Sequence, residues 1–202
     1  VVEEKPSDQI ELSGGFGAGR VVGSLGLSFN NFSARNLFKK GAWRPLPAGD
    51  GQRLSLRAQS TGTGFQSYSM SFTEPWLGGR KPNSLSLSLN HTRLYAASGD
   101  ISQTFKSYGV SIGLGKRLKF PDDFFTLYNE VSYRYYILEN YQLLAGFSDG
   151  FANNLSFKNV LSRNSAGPSP IYPTTGSTTT FTLQYTLPTS WARFKGQDIS
   201  EL

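Results

Sequence analysis

The 202-residue sequence contains no cysteine, one histidine and one methionine. Without cysteine there is neither a disulfide framework nor a thiolate metal site, which removes the small stapled secreted scaffolds. A lone imidazole, His91, cannot build a multi-histidine zinc centre or a Cys-His dyad, so neither a metal nor a catalytic site is expected. Charge is scarce as well: Asp, Glu, Lys and Arg make up 17% of the chain, against about 25% in ordinary soluble domains. The 20 basic residues give a formal charge of +6, but they are scattered in short runs, and no nucleic-acid partner is expected. No stretch approaches the roughly 20 apolar residues of a transmembrane helix. The opening Val1-Val2-Glu3-Glu4-Lys5-Pro6 lacks the regions of a signal peptide, so the chain is expected to begin after processing or within a longer protein.

Glycine, with 22 residues, and aromatics, at 14%, are plentiful, and the apolar residues recur with period two. In residues 84–90, Leu85, Leu87 and Leu89 point one way while Ser84, Ser86, Ser88 and Asn90 point the other. Residues 67–72 and 107–115 follow the same rule, with Tyr68, Met70 and Phe72, then Tyr108, Val110, Ile112 and Leu114, set against Ser and Gly. Weaker copies at 10–17, 22–30, 53–60, 126–137, 154–161 and 180–187 bring the expectation to about nine antiparallel strands of outer-membrane length. Helical periodicity is nowhere convincing.

A soluble sheet normally turns many Lys and Glu toward water, whereas here the polar side is mostly Ser, Gly, Thr, Gln and Asn. Small polar residues suit a crowded lumen, and aromatics such as Phe29, Phe32, Trp43, Phe72, Trp76, Phe120 and Tyr133 to Tyr136 gather near strand ends like membrane girdles. The expected fold is an all-β, antiparallel, up-and-down transmembrane β-barrel. A soluble carbohydrate-binding sandwich remains the alternative fold.

Motifs of covalent chemistry are thin. His91, between Asn90 and Thr92 just past the fifth strand, reads as an interfacial or loop residue. Asp122 and Asp123, after Phe120-Pro121, read as a tight turn rather than an acid-base couple. The run Gly14-Gly15-Phe16-Gly17-Ala18-Gly19 does not satisfy G-x-G-x-x-G and no helix follows it; Lys116 fails the P-loop pattern because Arg117 stands where Ser or Thr is needed. The glycines fall inside the first strand, where they weaken packing and relax register. On spacing alone they read as making room or shaping a turn; a soft seam at which the strand could pair with another chain is the second reading.

The run Asn30-Asn31-Phe32-Ser33-Ala34-Arg35-Asn36-Leu37-Phe38, followed by Gly51-Gln52-Arg53-Leu54, resembles the turn and third strand of BamA-type outer-membrane protein assembly factors of the POTRA-barrel superfamily. Tyr68-Ser69-Met70-Ser71-Phe72-Thr73-Glu74-Pro75-Trp76-Leu77 resembles that family's fourth strand and its Pro turn, and Tyr172-Pro173-Thr174-Thr175-Gly176-Ser177 the turn before its ninth strand. Residues 39–50 depart from the pattern, being longer than the turn expected there.

The resemblance implies that residues 1–8 end the last periplasmic POTRA domain and that 9–202 form the N-terminal part of a barrel of about sixteen strands. It implies a bacterial outer-membrane protein that folds and inserts other outer-membrane proteins by strand pairing at a lateral gate. The gate strand would comprise Gln9, Ile10, Glu11, Leu12, Ser13, Gly14, Gly15, Phe16 and Gly17, with Ile10, Leu12 and Phe16 facing lipid. Partners implied are nascent outer-membrane proteins, the lipoprotein subunits of the BAM complex, and outer-membrane lipid and lipopolysaccharide. No cofactor or catalytic residue is called for. Strand one would rise from the periplasm, leaving the 39–51, 74–84 and 165–176 connections on that side. A passive porin or transporter, or a polypeptide-secretion pore, would instead use the Ser-, Gly- and Arg-bearing lumen.

Overall fold

The computed structural model describes residues 8–17, 20–43, 46–62, 64–79, 81–98, 101–141, 149–167 and 174–187. The expected domain boundary at residue 8, the turn at 18–19, the Tyr172-Pro173 pair and the end beyond Leu187 therefore lie partly or wholly outside the described residues. Nine strands follow one another: β1 (Gln9–Gly17), β2 (Arg20–Phe32), β3 (Gln52–Thr61), β4 (Phe65–Glu74), β5 (Asn83–Ser98), β6 (Ile101–Arg117), β7 (Phe125–Glu139), β8 (Gly150–Asn164) and β9 (Thr178–Leu187). They form one open antiparallel sheet in which each strand pairs only with its sequence neighbours. Among the described residues the sole helical element is a single 3-10 turn at Ala34–Asn36.

The register explains why the sheet has two chemically different faces. One cross-strand row runs Ile10, Leu27, Leu56, Met70, Leu89, Val110, Tyr133, Leu155 and Leu187, apolar across all nine strands. One residue along each strand the row becomes Glu11, Gly26, Arg57, Ser69, Asn90, Gly109, Arg134 and Asn154, polar or glycine throughout. Because successive side chains alternate between faces, a slip of one residue at any pair would drive polar groups into the apolar face, which pins the register.

The apolar face covers nothing. Among the described residues few hydrophobic side chains are buried, Phe32, Leu54 and Leu138 among them, while Leu12, Val21, Tyr68, Ile112, Val131, Phe181 and others of the outward rows are exposed. A soluble sandwich would bury these rows against a second sheet. A barrel wall in a bilayer leaves them to the acyl chains.

On the other face, small hydroxyls bond across the strands at directly opposed positions: Ser13 with Ser24 at 2.6 Å, Ser88 with Ser111 at 2.6 Å, Ser132 with Ser156 at 2.6 Å and Ser162 with Thr180 at 3.2 Å. Such pairs satisfy polar groups without filling the lumen, at roughly 0.2–1 kcal/mol each. The glycines of β6 serve larger neighbours. A Cβ on Gly113 would collide with the Tyr128 and Ser86 hydroxyls, and one on Gly109 with the Asn90 amide.

Four features differ from the sequence expectations. The strands β5, β6 and β8 run 16, 17 and 15 residues, well beyond their alternating stretches, because backbone pairing continues into water where no apolar pattern is required. His91 therefore lies inside β5 rather than past it: its ring stacks on Tyr108 at 4.4 Å and parallel to Tyr68 at 6.3 Å. The lumen face is not uniformly small, since toward the β5–β6 turn Phe105 packs on Tyr136 at 6.0 Å and Tyr141 at 5.6 Å beside the buried Leu138.

The fourth concerns residues 39–50. The described part of this connection folds back on the strand ends: Ser33 N–H donates to the Pro47 carbonyl at 2.9 Å, Gly49 N–H to that of Asn31 at 2.9 Å, and the Ser33 hydroxyl to the Asp50 carboxylate at 2.6 Å. Phe32, Ser33 and Pro47 are buried there. The nearly buried Gln52 links this loop to the next turn by accepting from Ala34 N–H and donating to Glu74, each at 2.7 Å, while Glu74 also accepts from Trp76 N–H at 2.9 Å. The Phe-Thr-Glu-Pro-Trp motif is thus a clamp between two connections. At the same end Arg163 ties the β6–β7 turn to β8, reaching Asp122 at 2.9 Å and Ser165 at 2.8 Å. Asp122 meanwhile accepts from Phe124 N–H at 3.0 Å, so the Asp122-Asp123 pair is a turn, as expected.

Glu74→Ala removes an acceptor from the buried Gln52 amide and should destabilise the folded full-length protein by about 1–3 kcal/mol. Urea unfolding followed by the heat-modifiable gel shift measures this, with Glu74→Gln, which keeps a side-chain carbonyl, losing less.

Candidate strand-pairing edge

Residues Gln9 to Gly17, singled out in the sequence, coincide with β1. The strand pairs with β2 along its whole length, from Gln9 opposite Ser28 to Gly17 opposite Arg20. Its other edge has no strand against it among the described residues. In an antiparallel strand alternate residues direct both N–H and C=O to the same side, so about half of the nine residues present paired donors and acceptors along that edge.

Ile10, Leu12 and Phe16 share the apolar face with Leu27, Leu25 and Val21 opposite them. Gln9, Glu11 and Ser13 lie on the polar face. Their anchorage is light: Ser13 bonds Ser24, and Glu11 reaches over Gly26 toward Arg57 on β3 at 3.8 Å, with both side chains about two-thirds exposed or more. Exposed pairs of this kind contribute about 0–1 kcal/mol. The Glu11–Arg57 contact could not be found in the sequence, because a two-strand reach over a glycine depends on register. Beneath it a polar cleft of about 370 Å³ is lined by Gln9, Glu11, Ser28, Ser55 and Ser71.

The glycines of β1 differ from those of β6. Nothing lies within 4 Å of a Cβ placed on Gly15, and on Gly14 the nearest atom is the Val22 carbonyl oxygen at 3.7 Å. Neither makes room for a described neighbour, and neither is among the positive-φ glycines. Their effect on β1 is a backbone with less side-chain packing and more freedom in the unpaired state. Among the described residues no cluster of His, Cys, Asp and Glu could hold a metal ion.

Sheet order, alternation and an outward apolar face together define part of an up-and-down transmembrane β-barrel. A family model described as the Omp85 superfamily domain matches residues 48–197, and the chain belongs to that superfamily. The fold is similar to the crystal structure of BamA from Haemophilus ducreyi lacking POTRA domains 1-3, with a TM-score of 0.53 and 18% identity over 92% of this chain and 35% of that one. The chain therefore spans about a third of that structure. No curated protein sequence matches it. The family match begins after β1 and β2, so the reading of β1 rests on its geometry.

Gly15→Val should leave the stability of the folded protein within about 1 kcal/mol of the parent, whereas Gly113→Val, which must displace the Tyr128 ring and break its 2.9 Å bond to Ser86, should cost about 1–3 kcal/mol. Parallel urea titrations of the two variants decide it.

Proposed function

We propose that this chain is the N-terminal part of an outer-membrane assembly factor that folds and inserts other β-barrel proteins, and that β1 is the strand that receives them. The observation that carries the proposal is the glycine-softened and lightly anchored backbone of Gln9 to Gly17, whose Gly14 and Gly15 support no described neighbour. In hydrocarbon each unpaired backbone group costs several kcal/mol, so an edge at membrane depth favours any strand that completes its ladder. Backbone bonds of this kind accept substrates of differing sequence, as β-augmentation does elsewhere. No covalent step or cofactor enters. The partners would be nascent outer-membrane proteins, with BAM lipoprotein subunits as accessories and outer-membrane lipid and lipopolysaccharide as surroundings; residues 1–8 would lead in from a periplasmic POTRA domain.

A polypeptide-secretion pore of the same superfamily would pass its substrate through the hydroxyl-lined lumen and leave β1 idle. Crosslinking separates the two. In the full-length protein, Ser13→Cys should form a disulfide with a cysteine in the terminal strand of a stalled substrate barrel, and positions from Gln9 to Gly17 should do so in a stretch. Correct insertion with no crosslink anywhere in that stretch would sink the proposal. Replacing Gly14 and Gly15 together by Val should slow substrate assembly several-fold without loss of the folded protein; an unchanged rate would assign the glycines no part in it.

A further inference from the structure

On the apolar face the row Tyr68, His91, Tyr108 and Tyr135 borders a second row, Gln66, Arg93, Lys106 and Ile137, two residues further along each strand. Arg93 and Lys106 are direct cross-strand partners. Like charges so placed repel and destabilise a strand pair, and more strongly where lipid lowers the local dielectric. The neutralisation available is partial. Lys106 lies 3.4 Å from Glu139, whose side chain is 55% exposed. Arg93 rests over the Tyr95 ring at 6.0 Å and has no carboxylate partner among the described residues. Immediately beside the two cations, an apolar groove of about 710 Å³ crosses the same face, lined by Leu27, Met70, Leu89, His91, Tyr108 and Tyr133 among others.

We propose that this is a lipid site: Arg93 and Lys106 hold the phosphate of one membrane lipid at the end of the barrel bearing the β5–β6 turn, and an acyl chain of the same lipid lies in the groove. The chemistry of each part selects the occupant. An anionic phosphate between the cations turns their repulsion into two charge-assisted contacts, with the planar guanidinium suited to bidentate bonding. The aromatic row, amphipathic in Tyr and His, sits between phosphate and acyl chain, where such rings settle in membranes. A soluble anion would satisfy the cations but leave the groove empty, and a neutral lipid the reverse. The inference rests on the outward assignment of this face and is independent of the role of β1.

Native mass spectrometry of the full-length protein, released from neutral detergent in the presence of lipid A, phosphatidylglycerol or phosphatidylcholine, tests it. The parent should retain an anionic phospholipid or lipid A, and Arg93→Gln with Lys106→Gln should lower that retention by about tenfold or more, with folding unchanged by the heat-modifiable gel shift. The exposed single change Arg93→Gln should give a smaller loss, and Arg93→Lys should recover part of it. Retention of lipid A alone assigns the source to a phosphorylated glycolipid, and retention of both anionic lipids assigns it to lipids whose phosphate carries net negative charge. Equal retention of phosphatidylcholine, inorganic phosphate displacing lipid as effectively as lipid A, or a double variant that retains lipid like the parent would each overturn the proposal.

Discussion

A backbone amide or carbonyl left without a partner in hydrocarbon costs several kcal/mol, and everything else in this sheet depends on that cost. It explains why each described strand pairs with its chain neighbours in antiparallel order. It also explains why register is held over stretches as long as the sixteen paired positions between β5 and β6. β1 satisfies its bonds toward β2 along its whole length, from Gln9 opposite Ser28 to Gly17 opposite Arg20.

The two faces solve opposite problems with the same backbone. Outward rows need only be apolar, since lipid supplies the packing that a soluble core would provide; buried hydrophobic side chains are accordingly few. Inward rows must satisfy polar groups in limited space, and they do so with paired hydroxyls and with glycines beneath Tyr128 and Asn90. The inward face of β1 is bound more lightly. Its glycines support no neighbour, and the Glu11–Arg57 contact is long and exposed. The side-chain bonds of Gln52, Glu74 and Arg163 instead clamp the connections at one end of the sheet together.

The nine strands and their faces were legible in the sequence because a period-two pattern of Leu against Ser, as in residues 84–90, has no other inexpensive arrangement. Strand ends were not, because beyond the lipid zone pairing persists without alternation; that is why His91 seemed to fall past β5. The 39–50 connection was visible as unusual but not as a folded clamp, since its bonds join Ser33 to Asp50 and Gln52 to Glu74 across two turns. Arg93 and Lys106 look unremarkable 13 residues apart in the chain, and only the register makes them opposed partners. The candidate edge itself was marked by the glycine run. Whether those glycines made room or softened the strand depended on neighbours the sequence does not name.

The proposed role of β1 makes it both the most labile strand and the one a substrate protects. Amide hydrogen exchange of the full-length protein in lipid bilayers, alone and with a stalled substrate barrel, measures both properties at once. Exchange at Gln9 to Gly17 should be faster than in β5 when the protein is free, and should slow markedly when substrate is bound while β5 is unchanged. Protection of β1 equal to that of β5 in the free protein, with no change on adding substrate, would contradict the account.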